Sequence, residues 1–459
     1  MASYSTGTTV AAIATASGGG VGIIRISGPD AESIGRKVCR PWPENLQSHH
    51  LYLGQALDGG SYSETAAEVV DQILFCLMRA PRSYTGEDVL EIHGHGGAVN
   101  LQRLLELCYQ GGAVAAQPGE FTRRAFLAGK LDLTRVEAVA ALVSAQSVQA
   151  ARQAQRQLAG ELGQLAAELR RDAVALLGEF EGILDFPDAE ADAEITGRAA
   201  DKLSGLLQRV GSLADSFRHG GRALGEGLEI AVLGRPNVGK SSLINALCGS
   251  ERVLVDDQPG TTRDFVEIRV RWDGLAVTLI DTAGERTDAT RLELQGMRLG
   301  RERWLNADLC LIVVDGTVGL GATEENLMAS IPESMPRLVI WNKMDHADYL
   351  PPVQGAVSCS ALCGWGLANV QNTALQRVAS RVALAGDAEL IVTSARQAEV
   401  LQRAYEALSS ARAVLSRGAE AEIVAAELRV ATARLGELTG QEVAAPILDE
   451  IFSRFCVGK

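Results

Sequence analysis

The stretch GRPNVGKSS at residues 234–242 constrains this chain more than any other. It fits the spacing G-x-x-x-x-G-K-[ST], with the apolar run LEIAVL before it and the helix-forming run SSLINALC after it. A strand that feeds a glycine turn and then a helix leaves backbone N–H groups pointing into the turn, where they cradle phosphate. Asn237, Val238, Gly239, Lys240, Ser241 and Ser242 form this candidate loop. Lys240 supplies a point charge to the outer phosphates, and the Ser241 hydroxyl is placed for Mg²⁺. A chance glycine turn would lack the flanking strand and helix.

Further motifs follow in a fixed order. GTTRD at 260–264 contains Thr261 and a switch threonine, Thr262, that would close on Mg²⁺. DTAG at 281–284 follows the strand-like LAVTLI: Asp281 reaches Mg²⁺ through water, and beyond Thr282 and Ala283 the Gly284 N–H touches a γ-phosphate. NKMD at 342–345 ends the run RLVIW and supplies Asn342, Lys343 and Asp345. A carboxylate at Asp345 matches the paired N1–H and amino donors of guanine; against adenine it would be left unpaired. SCSA at 358–361 then offers Ser360, Ala361 and the adjoining Leu362 towards guanine O6. Five such motifs in order predict a GTP-hydrolysing domain.

The surrounding chain sets its frame. At 459 residues two or three domains are expected, and 47 % hydrophobic with 5 % aromatic content favours helix. Residues 1–125 mix short apolar runs (VGIIRIS, DQILFCLM, DVLEIHGHGG) with Gly and Pro, an α+β texture. Residues 126–224 turn to Ala, Leu, Gln, Glu and Arg, with Val136, Val139 and Val143 on one helical face and a single strong breaker, DFPD at 185–188. Residues 225–384 alternate strands and helices, predicting a mostly parallel sheet. Residues 385–459 return to the helical texture. Two like helical stretches flanking an α/β unit read as one helical domain interrupted by an inserted domain.

The net charge of −14 argues against non-specific coating of nucleic acid; a specific RNA partner would need a local basic surface or a second protein. Eight scattered cysteines without a C-x-x-C pair point to a reducing compartment. No basic residue precedes Arg25, as a secretory signal would require, and no run of 18 apolar residues spans a membrane. A cytoplasmic protein is expected.

Alternation in VLEIHGH places Glu91, His93 and His95 on one strand face, where two histidines without further ligands are usually structural. The terminal FCVGK at 455–459 has three readings: Cys456 is a packed thiol, a poorly matched prenylation box, or a reactive thiol on a flexible tail.

Nearly end to end, the chain resembles the MnmE (TrmE) family of tRNA-modification GTPases. The likeness is carried by GGGVGIIRISG at 18–28, SYTGEDVLEIHGHGG at 83–97, PGEFTRRAFLAGKLDL at 118–133, the nucleotide motifs and FCVGK. The resemblance implies an N-terminal α+β domain that binds folate and dimerises, and a helical domain interrupted by a Ras-like GTPase domain. It implies that Arg25, Glu91, Lys130 and Lys459 hold a tetrahydrofolate, 5,10-methylene or 5-formyl. K⁺ would be held by Asn237 and by the loop of Asp256, Asp257, Gln258, Pro259, Gly260 and Thr261, with Asp256, Gln258 and Thr261 as ligands. Glu293 would activate water, and Cys456 would face the reacting carbon or the uridine. Two positions depart from the family pattern: Glu285 directly after DTAG, and the potassium loop DDQPG. The implied partners are a second copy, tRNA, and the FAD-dependent MnmG (GidA) in a heterotetrameric complex. The implied task is to install carboxymethylaminomethyl or aminomethyl at C5 of the wobble uridine. A rival of another class is a non-modifying switch, such as a ribosome-assembly GTPase.

Overall fold

The computed structural model describes residues 7–58, 68–145, 147–185, 189–217, 221, 227–249, 266–272, 275–281, 307–333, 335–382, 390–418, 421–441 and 443–458. The chain forms two compact units. One comprises Met1–Ala140, Leu158–Ala166 and Gly436–Lys459, the other Ala141–Gln157 and Ala167–Leu435.

The first unit is built on a seven-stranded sheet. Its strands are β1 (Val10–Ile13), β2 (Val21–Ser27), β3 (Cys39–Arg40), β4 (Tyr52–Asp58), β5 (Glu68–Met78), β6 (Val89–His95) and β7 (Val114–Ala115), in the spatial order 3-4-5-6-2-1-7. Helices α1 (Ala31–Val38) and α2 (Ala98–Gln110) pack on it. Period-two alternation decides which side chains they cover: Ile24 and Ile26 of β2 and Leu90 and Ile92 of β6 are buried with Leu101 and Leu104 of α2. Arg25 and Glu91 therefore project to the opposite face, and antiparallel register sets them directly across from each other. The C-terminal end of the chain joins this unit. Phe126 of α3 (Glu120–Leu127) and Leu133 and Val136 of α4 (Leu133–Ser144) pack with Phe452 of the last helix, Ala445–Ser453, and with Phe455. Val143, expected on the same apolar face, is 52 % exposed.

In the second unit, β8 (Leu228–Leu233), β9 (Val266–Trp272), β10 (Leu275–Asp281), β11 (Leu309–Asp315), β12 (Arg337–Asn342) and β13 (Val357–Ser358) form a sheet in the order 13-12-11-8-10-9. Every pair is parallel except β9 with β10. β11, LCLIVVD, is buried along six consecutive residues, as a central strand covered on both faces must be. GRPNVGKSS follows β8, Asp281 ends β10, NKMD begins at the last residue of β12 and SCSA at that of β13, all at the carboxyl edge of this sheet, the usual location of ligands in open α/β folds.

The helical part consists of α5 (Val148–Ala159), α6 (Glu161–Asp185) and α7 (Ala189–Ser216) before this sheet. After α8 (Lys240–Cys248), α9 (Ala322–Ser330) and α10 (Leu367–Val382) of the α/β region come α11 (Ala395–Ser416), α12 (Ala421–Thr439) and α13 (Ala445–Ser453). α6 ends at Asp185, the first residue of DFPD. The two helical stretches meet around the insertion. α7 packs on α11, and the amides of Gln153 and Gln157 bond the backbone of Ile391 at 3.3 and 2.8 Å. The α/β region is thus inserted into one helical domain. Among the described residues no helix is long and apolar enough to cross a membrane.

Candidate functional site

The loop after β8 has the curvature that phosphate binding needs. Gly239, which precedes the first turn of α8, has φ +97°, and Asn237 has φ +64°, a left-handed conformation that asparagine tolerates. Lys240 is buried, and its Nζ donates to the carbonyls of Gly234 at 2.8 Å and Arg235 at 2.9 Å. Burial pushes its pKa down, with the Asp281 carboxylate pulling the other way. The two carbonyls occupy positions on the ammonium that phosphate oxygens would take. Ser241 Oγ donates to Asp281 Oδ2 at 3.2 Å, while Asp281 Oδ1 is buried without a hydrogen-bond partner among the described residues. A hydroxyl beside a carboxylate with one oxygen uncommitted suits Mg²⁺, which takes few protein ligands and keeps its waters. Ser242 is exposed on the first turn of α8, and Val238 is buried.

Asn342 joins the loop to the segment that follows β13. Its Nδ2 donates to Val238 O at 2.9 Å, and its Oδ1 accepts the Ala361 N–H at 3.0 Å. Lys343, at φ +67°, turns its ammonium to within 2.5 Å of Asp315 Oδ2. Burial works to raise the Asp315 pKa, but hydrogen bonds from Lys343 and Thr317 outweigh it and hold the carboxyl below the usual range. Asp345 is exposed at the rim and accepts the Ser360 hydroxyl at 2.5 Å, which holds its carboxyl low as well. A fixed, ionised acceptor results. Leu362 is 85 % exposed beside it. Asp256, Asp257, Gln258, Pro259, Gly260, Thr261, Thr262, Thr282, Ala283, Gly284, Glu285 and Glu293 lie outside the described residues, as does Lys459.

A second polar cluster lies on the first unit's sheet. Arg25 Nε and Nη2 both approach Glu91 Oε1 at 2.9 Å, and Arg25 Nη1 donates to the Gly458 carbonyl at 3.3 Å. The guanidinium is 5.7 Å from the ring centres of Tyr84 and Phe121. His93 Nε2 is 3.4 Å from Glu91 Oε2. The close approach of His93, then the Arg25 charge, keep the Glu91 carboxyl below the usual range against the cost of burial. Lys130 is not joined to this pair: its ammonium donates to the carbonyls of Pro81, at 2.6 Å, and Ser83, on the loop that carries Tyr84. His95 is held by Asp71 at 2.7 Å, and among the described residues no three His, Cys, Asp or Glu side chains gather as a metal site. The tail is anchored through Phe455, buried against Phe452, and Cys456 is exposed with its carbonyl 3.5 Å from the Gly119 N–H.

Two family models match the chain: the MnmE helical domain over residues 133–456, and the GTP-binding protein TrmE N-terminus over residues 9–130. A tRNA modification GTPase MnmE of Synechococcus sp. (strain RCC307) is 41 % identical over 98 % of each chain. The chain belongs to the MnmE family. Relatives of the same description from Chloroflexus aurantiacus and Symbiobacterium thermophilum are 38 % and 39 % identical, over 98 % of this chain and 99 % of theirs. In this MnmE-family chain, several contacts at the two clusters escape motif reading. Tyr84 and Phe121 lie within the SYTGED and PGEF stretches, but nothing there says that they flank Arg25, and Asp315 meets Lys343 only because β11 and β12 pair in parallel. The sole sequence signal for Asp315 is an acidic residue closing the run LCLIVV.

Proposed function

We propose that this chain is a potassium-activated GTP hydrolase of tRNA modification. With the FAD-dependent partner MnmG it installs a carboxymethylaminomethyl or aminomethyl group at C5 of the wobble uridine, in the cytoplasm and as a homodimer. The carbon comes from a tetrahydrofolate one-carbon unit and the remainder from ammonium or glycine. We assign folate binding and dimerisation to residues 1–125, the helical domain to 126–224 and 385–459, and GTP hydrolysis to 225–384. The chain's charge of −14 leaves most of the phosphate contacts with tRNA to the partner.

The observation that carries this reading is the hydrogen bond from Arg25 to the Gly458 carbonyl, because it brings the cysteine-bearing tail to the Arg25–Glu91 pair. The residues there fit a folate. Glu91 is an ionised acceptor for the adjacent N–H and amino donors of a pterin, and two ring faces flank its neighbour Arg25. Lys130 and Lys459 complete the set for the ligand's carboxylates. At the nucleotide loop Lys240 neutralises phosphate oxygens, Ser241 with Asp281 and Thr262 holds Mg²⁺, and Asp345 selects guanine. Asn237 with Asp256, Gln258 and Thr261 holds K⁺, which supplies positive charge beside the phosphates. Glu293 orients the attacking water.

Two measurements test these assignments separately. GTP turnover will be faster in K⁺ than in Na⁺ at equal ionic strength, and Glu293→Ala will lower kcat while leaving nucleotide affinity unchanged, the mark of a group that acts in the transition state. Equal rates in both salts would remove the potassium assignment, and a fully active Glu293→Ala would move water activation to Glu285. Calorimetry with a reduced folate will show Glu91→Ala losing about 1.5–3 kcal/mol for each charge-assisted bond to the pterin. Wild-type affinity in that variant would take Glu91 out of the site.

A further inference from the structure

The second residue of the phosphate loop makes a contact that the nucleotide motifs do not call for. Arg235 Nε faces Glu324 Oε1 as an ion pair, and the Glu324 side chain is wholly buried while Arg235 is partly exposed. Glu324 lies in the first turn of α9, on the segment that follows β11. Its other oxygen, Oε2, accepts the Gly321 N–H at 3.1 Å, closing the N-terminus of that helix. The Arg235 carbonyl accepts from Lys240 at 2.9 Å. One residue thus touches the phosphate-binding lysine with its backbone and a buried carboxylate with its side chain.

We propose that Glu324, through its ion pair with Arg235, is a positioning residue that holds the phosphate loop in its binding geometry. The proposal rests on the nucleotide reading given above and adds a residue to it. The loop is pinned at two points. On one side the Asn342 amide holds the Val238 carbonyl, and on the other Glu324 holds Arg235. Between these anchors the chain must pass through Pro236 and the left-handed Asn237. Freeing Arg235 lets the start of the loop rotate, which misdirects the N–H groups that converge on phosphate.

Glu324 is the N3 residue of a capping box on α9, which accounts for its Oε2 but not for the placement of Arg235 beside its Oε1. Taking a carboxylate out of water is expensive, and the Arg235 charge offsets that cost although Nε and Oε1 meet without hydrogen-bond geometry. Arg suits that task because its planar guanidinium is charged at every relevant pH and keeps a set direction.

The test exploits the fact that a buried ion pair can be exchanged for apolar side chains with little loss of stability. Fluorescent GDP binding and thermal unfolding are to be measured on the full chain for wild type, Glu324→Gln, Arg235→Met and the double variant Arg235→Met/Glu324→Leu. Glu324→Gln preserves volume and the Gly321 hydrogen bond but removes the charge that faces Arg235, and it will weaken GDP binding roughly tenfold or more. The double variant will unfold near the wild-type temperature yet bind GDP as weakly as the single variants. In steady-state kinetics the loss will fall on KM more than on kcat, because the loop is misplaced before chemistry begins. Wild-type GDP affinity in a stably folded double variant overturns the proposal. If that variant does not fold, wild-type affinity in Glu324→Gln overturns it equally. Failure of the wild-type chain to bind any guanine nucleotide would instead overturn the nucleotide reading.

Discussion

Asp345→Asn will weaken binding of guanosine nucleotides by roughly 10²–10⁴-fold, because two charge-assisted hydrogen bonds of about 1.5–3 kcal/mol each are lost or reduced. The same variant will gain affinity for xanthosine nucleotides. Guanine presents two donors side by side, N1–H and the 2-amino group, and the Asp345 carboxylate accepts both. An asparagine amide offers one acceptor and one donor, which matches the N1–H and the 2-carbonyl of xanthine. The substitution leaves the scaffold intact: Ser360, whose hydroxyl lies 2.5 Å from Asp345 Oδ1, can donate to an amide oxygen as it does to a carboxylate. Competition of GDP and XDP against a fluorescent nucleotide reads both changes at once. Unaltered GDP affinity would mean that Asp345 does not read the base.

The second large effect concerns the tail. Gly458 has φ +97°, and a Cβ there would come within 2.2 Å of the Ile13 carbonyl. A β-branched residue can satisfy neither constraint, so Gly458→Val will lift the tail and break its hydrogen bond to Arg25. Modification of the wobble uridine will fall to background while GTP hydrolysis and the stability of the G-domain are retained. Cys456→Ser separates placement from chemistry, since it changes one exposed sulfur to oxygen and leaves Gly458 in position. A serine hydroxyl does not ionise near neutral pH as a thiol can, so modification will again be lost. Normal modification in Cys456→Ser would make Cys456 a spacer in an ordered tail. Normal modification in Gly458→Val as well would remove the tail from the site.

Local rules carried much of this architecture in the sequence. The strand–turn–helix around GRPNVGKSS was legible because the loop's chemistry fixes both its spacing and its flanking elements, and β8 and α8 bracket it as expected. The face of Glu91 followed from alternation in VLEIHGH. Helical texture on both sides of the α/β region indicated an insertion, and the pairing of α7 with α11 supplies its physical reason: neither stretch covers its apolar face alone. What stayed hidden depends on register and on which strands become neighbours. Arg25 opposes Glu91 only because β2 lies beside β6 in one register, and a one-residue slip would part them. Arg235 and Glu324 belong to segments between which β9, β10 and β11 intervene, and no periodicity links them. Lys130 shows the same limit from the other direction, because its carbonyl partners come from a loop whose path only the folded chain determines.

Mass spectrometry of tRNA nucleosides from a strain whose own copy of this gene has been deleted reads the modifying role itself. The wobble uridine of the affected tRNAs is expected to lack its C5 aminomethyl-type substituent in the deletion strain and to regain it when the wild-type chain is returned. Chains carrying Asp345→Asn or Cys456→Ser are expected not to restore it. Fully modified wobble uridine in the deletion strain would contradict the account and leave a GTPase switch without a modifying role.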